Sequence, residues 1–288
     1  MIEALLEYRF LQHAFLSGLL ASVVCGIIGV VIVEKKLVMM SGGIAHASYG
    51  GVGFGYYVGI APIAGAFLFA LLSALGIGYI KRRGAARSDV VIGLFWSLGM
   101  ALGILFIALR PGYPPDVSSY LFGNILSVTR SDLLLMLALT AAVAAVILVF
   151  FARWKAYLFD DEFVRIKGIN TALMEYLLLV LVAMTVVVLI RVVGIILVLA
   201  LLTAPAAAAA QVTANLKNRM AFAALFGMVS CFAGLAVSYR LNIASGAVIV
   251  MVSAALYLLV TLGSAAVRAF GRGKSAGAAG TAENGGAP

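Results

Sequence analysis

The sequence predicts an all-α polytopic membrane protein with about nine membrane-embedded helices, each needing ~20 apolar residues to cross a bilayer. Three observations carry that prediction. Of 288 residues, 64% are hydrophobic and only 11% charged, with a mean hydropathy of +1.15, outside the range of soluble globular chains. The apolar runs are long and continuous, where a barrel would show short alternating strands. Charge and proline bound these runs and rarely interrupt them.

The first span is Leu11–Val33, closed by Glu34, Lys35 and Lys36. Before it, MIEALLEYRF carries Glu3 and Glu7 and no basic region, so this span is expected to be retained and not cleaved as a signal. The second, Ile44–Ile60, is rich in glycine and ends at Pro62; the third, Ile63–Ile80, is followed by Lys81, Arg82, Arg83 and Arg87. The fourth, Val90–Leu109, stops at Arg110-Pro111. Gly112–Arg130, with Pro114, Pro115, Asp116 and Asn124, reads as a partial or re-entrant helix. A fifth span, Leu133–Ala152, runs into the charged segment Arg153–Ile169. Leu173–Ile190, Val192–Val212, Met220–Tyr239 and Ala244–Val267 complete the set. Residues 1–270 are thus expected to form one transmembrane domain, and 271–288, small and polar, a disordered tail.

Arg153–Ile169 packs seven charges into seventeen residues, including three of the eleven acids in the chain. A charge at the bilayer centre costs at least ~2.5–3.5 kcal/mol, so this segment belongs in water. Its part Phe159–Ile169 has a helical order of charges. Asp160 can cap, Asp161 and Glu162 follow in the first turn, Arg165 and Lys167 fill the last, and Gly168 supplies a stop. Such a rod can dock a soluble partner; a solvated connecting loop would show the same charges.

Loop charge sets the orientation. Fifteen of the twenty bases fall in the loops after spans one, three, five and seven and in the tail, and five fall on the other side. The positive-inside bias puts the fifteen in the cytoplasm, with the N-terminus outside and the C-terminus and Arg153–Ile169 inside. The net charge of +9 is therefore no sign of nucleic-acid binding. Cys25 and Cys231 stand alone in apolar spans as packing residues.

Four stretches could carry chemistry. Met39–Ile60 holds His46 among seven glycines, Gly42 and Gly43 beside it; backbone this irregular at membrane depth is tolerated against protein or a water-filled path. Imidazole suits zinc and other divalent transition metals, although one histidine can equally hydrogen-bond a nearby carbonyl. Asp89 opens the stretch to Ile107, where helix capping competes with ligation. Asn124 follows Asp116 in the re-entrant piece. Pro205 frees a carbonyl in span seven and precedes five alanines, a kink with a smooth packing face. The spans hold almost no ionisable groups to relay protons or sodium, which points to an energy source outside the chain.

Six pieces, in this order and spacing, resemble one family: SGGIAH (41–46), SDVVIGLFWSLGMALGI (88–104), SYLFGNIL (119–126), FDDEFVRIKGI (159–169), RVVGIILVLALLTAPAAAA (191–209) and SGAVIVMVSA (245–254). The chain resembles the permease subunits of the metal-ion ABC importers that handle zinc, manganese and iron. The resemblance runs from about Gln12 to about Val267 and implies a fold similar to shortened vitamin B12-type, or type II, importer permeases. It implies a homodimer in the cell membrane with the pathway at the dimer interface. It also implies a cytoplasmic ATP-binding subunit gripping Phe159–Ile169 and an extracytoplasmic metal-binding protein delivering the ion. No Walker A pattern occurs in the chain, so ATP hydrolysis is expected in the separate subunit and no enzymatic activity here. No permanently bound cofactor is expected; the metal is cargo. Many relatives carry an aspartate four residues before the histidine, where this chain has Gly42. Ligands could then come from two copies of His46 or from Asp116 or Asp89, and zinc is the expected cargo. Manganese, iron, a metal chelate or a gradient-driven secondary transporter are the competing readings. An intramembrane protease would need an HExxH or paired-aspartate motif within the spans, and the sequence has neither.

Overall fold

The computed structural model describes residues 7–84, 88–112, 118–123, 125–159, 164, 166, 168, 170–241 and 243–283. Among them every regular element is helical: α1 Arg9–Glu34, α2 Val38–Val58, α3 Pro62–Arg82, α4 Ser88–Leu109, α5 Ser118–Phe122, a 3-10 turn Ile125–Ser127, α6 Arg130–Val149, α7 Phe151–Phe159, α8 Thr171–Val212, α9 Leu216–Leu241 and α10 Ser245–Glu283. Among the described residues eight segments are long and apolar enough to cross a membrane: α1, α3, α4, α6, both halves of α8, α9 and the Ser245–Ala266 part of α10. The ninth long segment is α2. Its glycines and serines dilute its hydropathy, but it is walled in by α3 and α4, so lipid need not solvate it.

Local chemistry sets several ends. Pro62 opens α3 at a position where its missing N–H costs nothing. Thr129 and Asp132 form a reciprocal capping box on α6, and Asn170 Oδ1 accepts from the Leu173 N–H to start α8. Gly59 ends α2 in the left-handed conformation. The helix of α10 continues to Glu283, into the small-residue tail.

The 42 residues of α8 are not one rod. A straight helix of that length would reach ~63 Å, yet both ends meet the same cluster of charges. Near its start Glu175 takes Lys81 Nζ and Arg82 Nη1, each at 3.0 Å; just past its end the Thr213 carbonyl accepts from Arg219 Nε, and Arg219 pairs with Glu34. The chain must turn back between them, and it does so at Gly194 (φ 78°, ψ 161°), in a region open only to glycine. Span boundaries at Ile190 and Val192 anticipated the turn to within a few residues. Packed against α1, α2, α3, α9 and α10, this hairpin forms the centre of the core.

The re-entrant segment fills the bend. Phe122 and Gly123 (φ 72°) sit against Val193 and Gly194, and a Cβ on Gly194 would lie 2.6 Å from the Phe122 carbonyl carbon. Tyr120, on the same short helix, reaches Tyr56 near the far end of α2, hydroxyl to hydroxyl at 3.5 Å. The bend therefore lies at the end of the bundle opposite the charged cluster.

Candidate functional site

A seam of glycines brings α2 and α4 together as parallel neighbours. A Cβ on Gly43 would fall 2.8 Å from Ile92 Cγ2, one on Gly50 2.7 Å from the Gly99 carbonyl oxygen, and Gly53 abuts Gly103. Side chains at these places would force the helices apart, so this close approach requires glycine.

His46 lies on that seam. Its ring stacks on the Trp96 indole of α4, centroids 3.9 Å apart and planes 20° from parallel. Nδ1 stands 3.1 Å from the Gly42 carbonyl oxygen one turn earlier, and a carbonyl can only accept. Nδ1 therefore carries the proton and donates it, which leaves the Nε2 lone pair available. A histidine that binds metal through one nitrogen characteristically donates its other N–H in this way. Both residues lie eight positions into their helices, about 12 Å from the starts.

Trp96 also covers Gly42: a Cβ there would lie 3.1 Å from Trp96 Cζ3. An indole thus occupies the room beside His46 that a side chain at position 42 would need. Trp96 was not among the residues expected from sequence. An aromatic in an apolar span carries no polar signal, and only the absence of a side chain at Gly42 hinted at a bulky neighbour.

The other expected ligands are not assembled around His46. Asp89, exposed in the first turn of α4, lies about 10 Å below Trp96 along the helix axis at 1.5 Å per residue, beyond coordination reach of His46. Asp116 and Asn124 lie outside the described residues. Among the described residues no group of three or more His, Cys, Asp or Glu side chains is placed to hold a metal ion. Pro205 is buried within the second half of α8, where Thr203 Oγ1 donates to the Leu199 carbonyl at 2.8 Å.

Opposite the bend, the charged loops gather on one face. Besides the Glu175 and Glu34 ion pairs, Lys35 lies 3.9 Å over the Tyr157 ring and Lys217 5.1 Å from the Phe151 ring centre. Lys35, Lys81, Arg82, Tyr157 and Glu175 border a cavity of about 370 Å³. The loops after spans one, three, five and seven thus share one side, as their charge implied. Here α7 was unforeseen as a helix separate from α6. It buries Trp154, Tyr157 and Leu158 and leaves Phe159 53% exposed. Of the expected docking residues, Asp160, Asp161, Glu162 and Arg165 lie outside the described residues. Gly168 has φ 69°, a left-handed value that suits a helix stop; earlier in the segment Val164 is buried and Ile166 exposed.

A family model described as the ABC 3 transport family matches residues 7–264. The chain belongs to the ABC 3 transport family. An uncharacterized membrane protein of Synechocystis sp. is 43% identical over 90% of this chain and 93% of its own length. The manganese transport system membrane protein MntC of Halalkalibacterium halodurans is 34% identical, covering 89% of this chain and 88% of its own. Among solved structures, PsaBC from Streptococcus pneumoniae in complex with Fab superposes with a TM-score of 0.82 at 32% identity, over 90% of this chain and 93% of that one. An inward-facing metal-chelate type ABC transporter shares the fold, with a TM-score of 0.73 at 16% identity over 90% and 88%. The resemblance carried by the six sequence stretches therefore holds, and the helical bundle is that of an ABC 3 permease.

Proposed function

We propose that this chain is the membrane subunit of an ATP-driven importer of a divalent transition-metal ion, with zinc favoured over manganese. The observation that carries the metal preference is the His46 environment. A neutral imidazole with Nε2 available, stacked on Trp96 and lacking a carboxylate at position 42, is a nitrogen site. Oxygen-rich sites suit manganese, whereas imidazole suits zinc. A single donor also suits a conduit, because an ion held by a closed cage would not leave. The relatives' names favour the second reading, manganese: MntC of H. halodurans and the manganese import system permease protein ScaB of Streptococcus parasanguinis are 34% and 33% identical.

In this reading the charged face is cytoplasmic, as loop charge argues. An ATP-binding subunit docks on Phe159–Gly168, Asp160, Asp161, Glu162 and Arg165 supplying the contacts, and closure of the ATPase moves spans four to seven, α4 to α8. Two copies of the chain flank the pathway, and a solute-binding protein delivers the ion at the face bearing Tyr56 and Tyr120. ATP is hydrolysed in the partner. Competitive uptake in vesicles holding the assembled transporter tests the preference: zinc should suppress manganese uptake at equal concentration, and the reverse order would favour the manganese reading.

A further inference from the structure

We propose that a phospholipid with an anionic headgroup binds between α1, α6 and α9, its acyl chain in an apolar groove and its phosphate held by Lys155 and Lys217. Two cavities adjoin there. One, of about 390 Å³, lies along the bundle surface between Val23 and Ile27 of α1, Ile147 and Leu148 of α6, and Met220 and Ala224 of α9. The other, of about 450 Å³, opens on the charged face beside Lys155, Asn215, Lys217 and Phe159. Phe151 and Lys217 line both, so the two form one path, apolar along the span and cationic at its mouth.

The occupant follows from that order of surfaces. Leu148, 71% exposed, faces outward from a membrane-spanning helix, where acyl chains are the medium. Lys217 sits at the first turn of α9, at the level where the apolar run gives way to charge, with its ammonium near the Phe151 ring. Basic pockets at this level between membrane helices hold lipid phosphates. Among the described residues no carboxylate lines either cavity, whereas the cavity beside Lys81 and Arg82 has Glu175 paired with both. A soluble anion would use the lysines and leave the groove idle. A phospholipid uses both.

The test is native mass spectrometry of the full chain in detergent, titrated with phosphatidylglycerol or phosphatidylcholine. The wild type should hold phosphatidylglycerol more tightly. Lys155→Gln with Lys217→Gln should weaken it about 25-fold, at about fivefold per lysine, and leave phosphatidylcholine unchanged; arginine at both positions should restore it. Ala221→Trp, at an exposed position lining the groove, should weaken both lipids. Undiminished phosphatidylglycerol binding by the glutamine variant overturns the proposal. So does undiminished binding by the tryptophan variant together with full displacement by glycerol 3-phosphate, which would mark a soluble-anion site. Loss of self-association in the tryptophan variant with its lipid retained would assign the groove to a second copy. Loss of ATPase co-purification in the glutamine variant with its lipid retained would assign the lysines to that subunit, and either result refutes a lipid site.

Discussion

The His46 imidazole lies face to face with the Trp96 indole at 3.9 Å, while its Nδ1 is held by the Gly42 carbonyl of its own helix at 3.1 Å. Two constraints, one from each of a pair of parallel helices, fix the ring plane and the tautomer. Relative movement of α2 and α4 would therefore change how Nε2 is presented, a direct coupling between helix packing and ligand geometry. His46→Ala should lower zinc uptake by the assembled transporter at least tenfold without loss of expression. Trp96→Ala should retain the ligand but free the ring, raising the half-saturating zinc concentration more than it lowers the maximal rate. Uptake assays on both variants check this, and wild-type transport by His46→Ala would leave the histidine a packing residue.

The indole over Gly42 sets a second expectation. Gly42→Asp alone should be poorly tolerated, because its Cβ would start 3.1 Å from Trp96 Cζ3 in a packed seam. Gly42→Asp combined with Trp96→Ala makes room for a carboxylate beside the imidazole. The double variant should shift the zinc-to-manganese uptake ratio towards manganese by about tenfold, since an added oxygen donor suits the harder ion. Uptake of the two isotopes in competition measures it.

The bend at Gly194 should be intolerant of any side chain. Its φ of 78° with ψ of 161° costs other residues about 1–3 kcal/mol, and a Cβ would also collide with the Phe122–Gly123 turn. Gly194→Ala should lower the melting temperature in detergent and reduce the folded yield. Gly93→Ala, where a Cβ meets nothing within 4 Å, should change neither.

In the proposed reading the ATP-binding subunit grips the charges that follow Phe159. Asp161→Lys or Glu162→Lys should loosen co-purification with the ATPase while the melting temperature of the isolated permease stays unchanged. Undisturbed co-purification would return the segment to a connecting loop.

Much of this is legible in the sequence, for a physical reason: lipid demands apolar runs of fixed length and expels charge, so spans and their shared basic face are written in composition. Pairings were not. Glu175 falls inside the apolar run Leu173–Ile190, and nothing in its neighbourhood names Lys81 and Arg82, some ninety residues away, as its partners. Hydropathy placed the start of α2 at Ile44 because Ser41, Gly42 and Gly43 dilute it. The helix begins at Val38, since those residues face protein and Ser41 Oγ donates to the Val38 carbonyl at 2.7 Å. Trp96 was invisible as a partner for His46 because stacking across two helices depends on the glycine seam that sets their register. The bend position depended in the same way on the docking of Phe122 and Gly123.

The proposed function stands or falls on ATP-driven passage of a metal ion through this bundle past His46. The most direct measurement is uptake of radioactive zinc into vesicles containing this chain with its ATP-binding subunit and its solute-binding protein. Uptake should require ATP, stop when the ATPase is omitted, and fall at least tenfold in His46→Ala. Zinc uptake by this chain alone under an ion gradient, without ATPase or ATP, would contradict it.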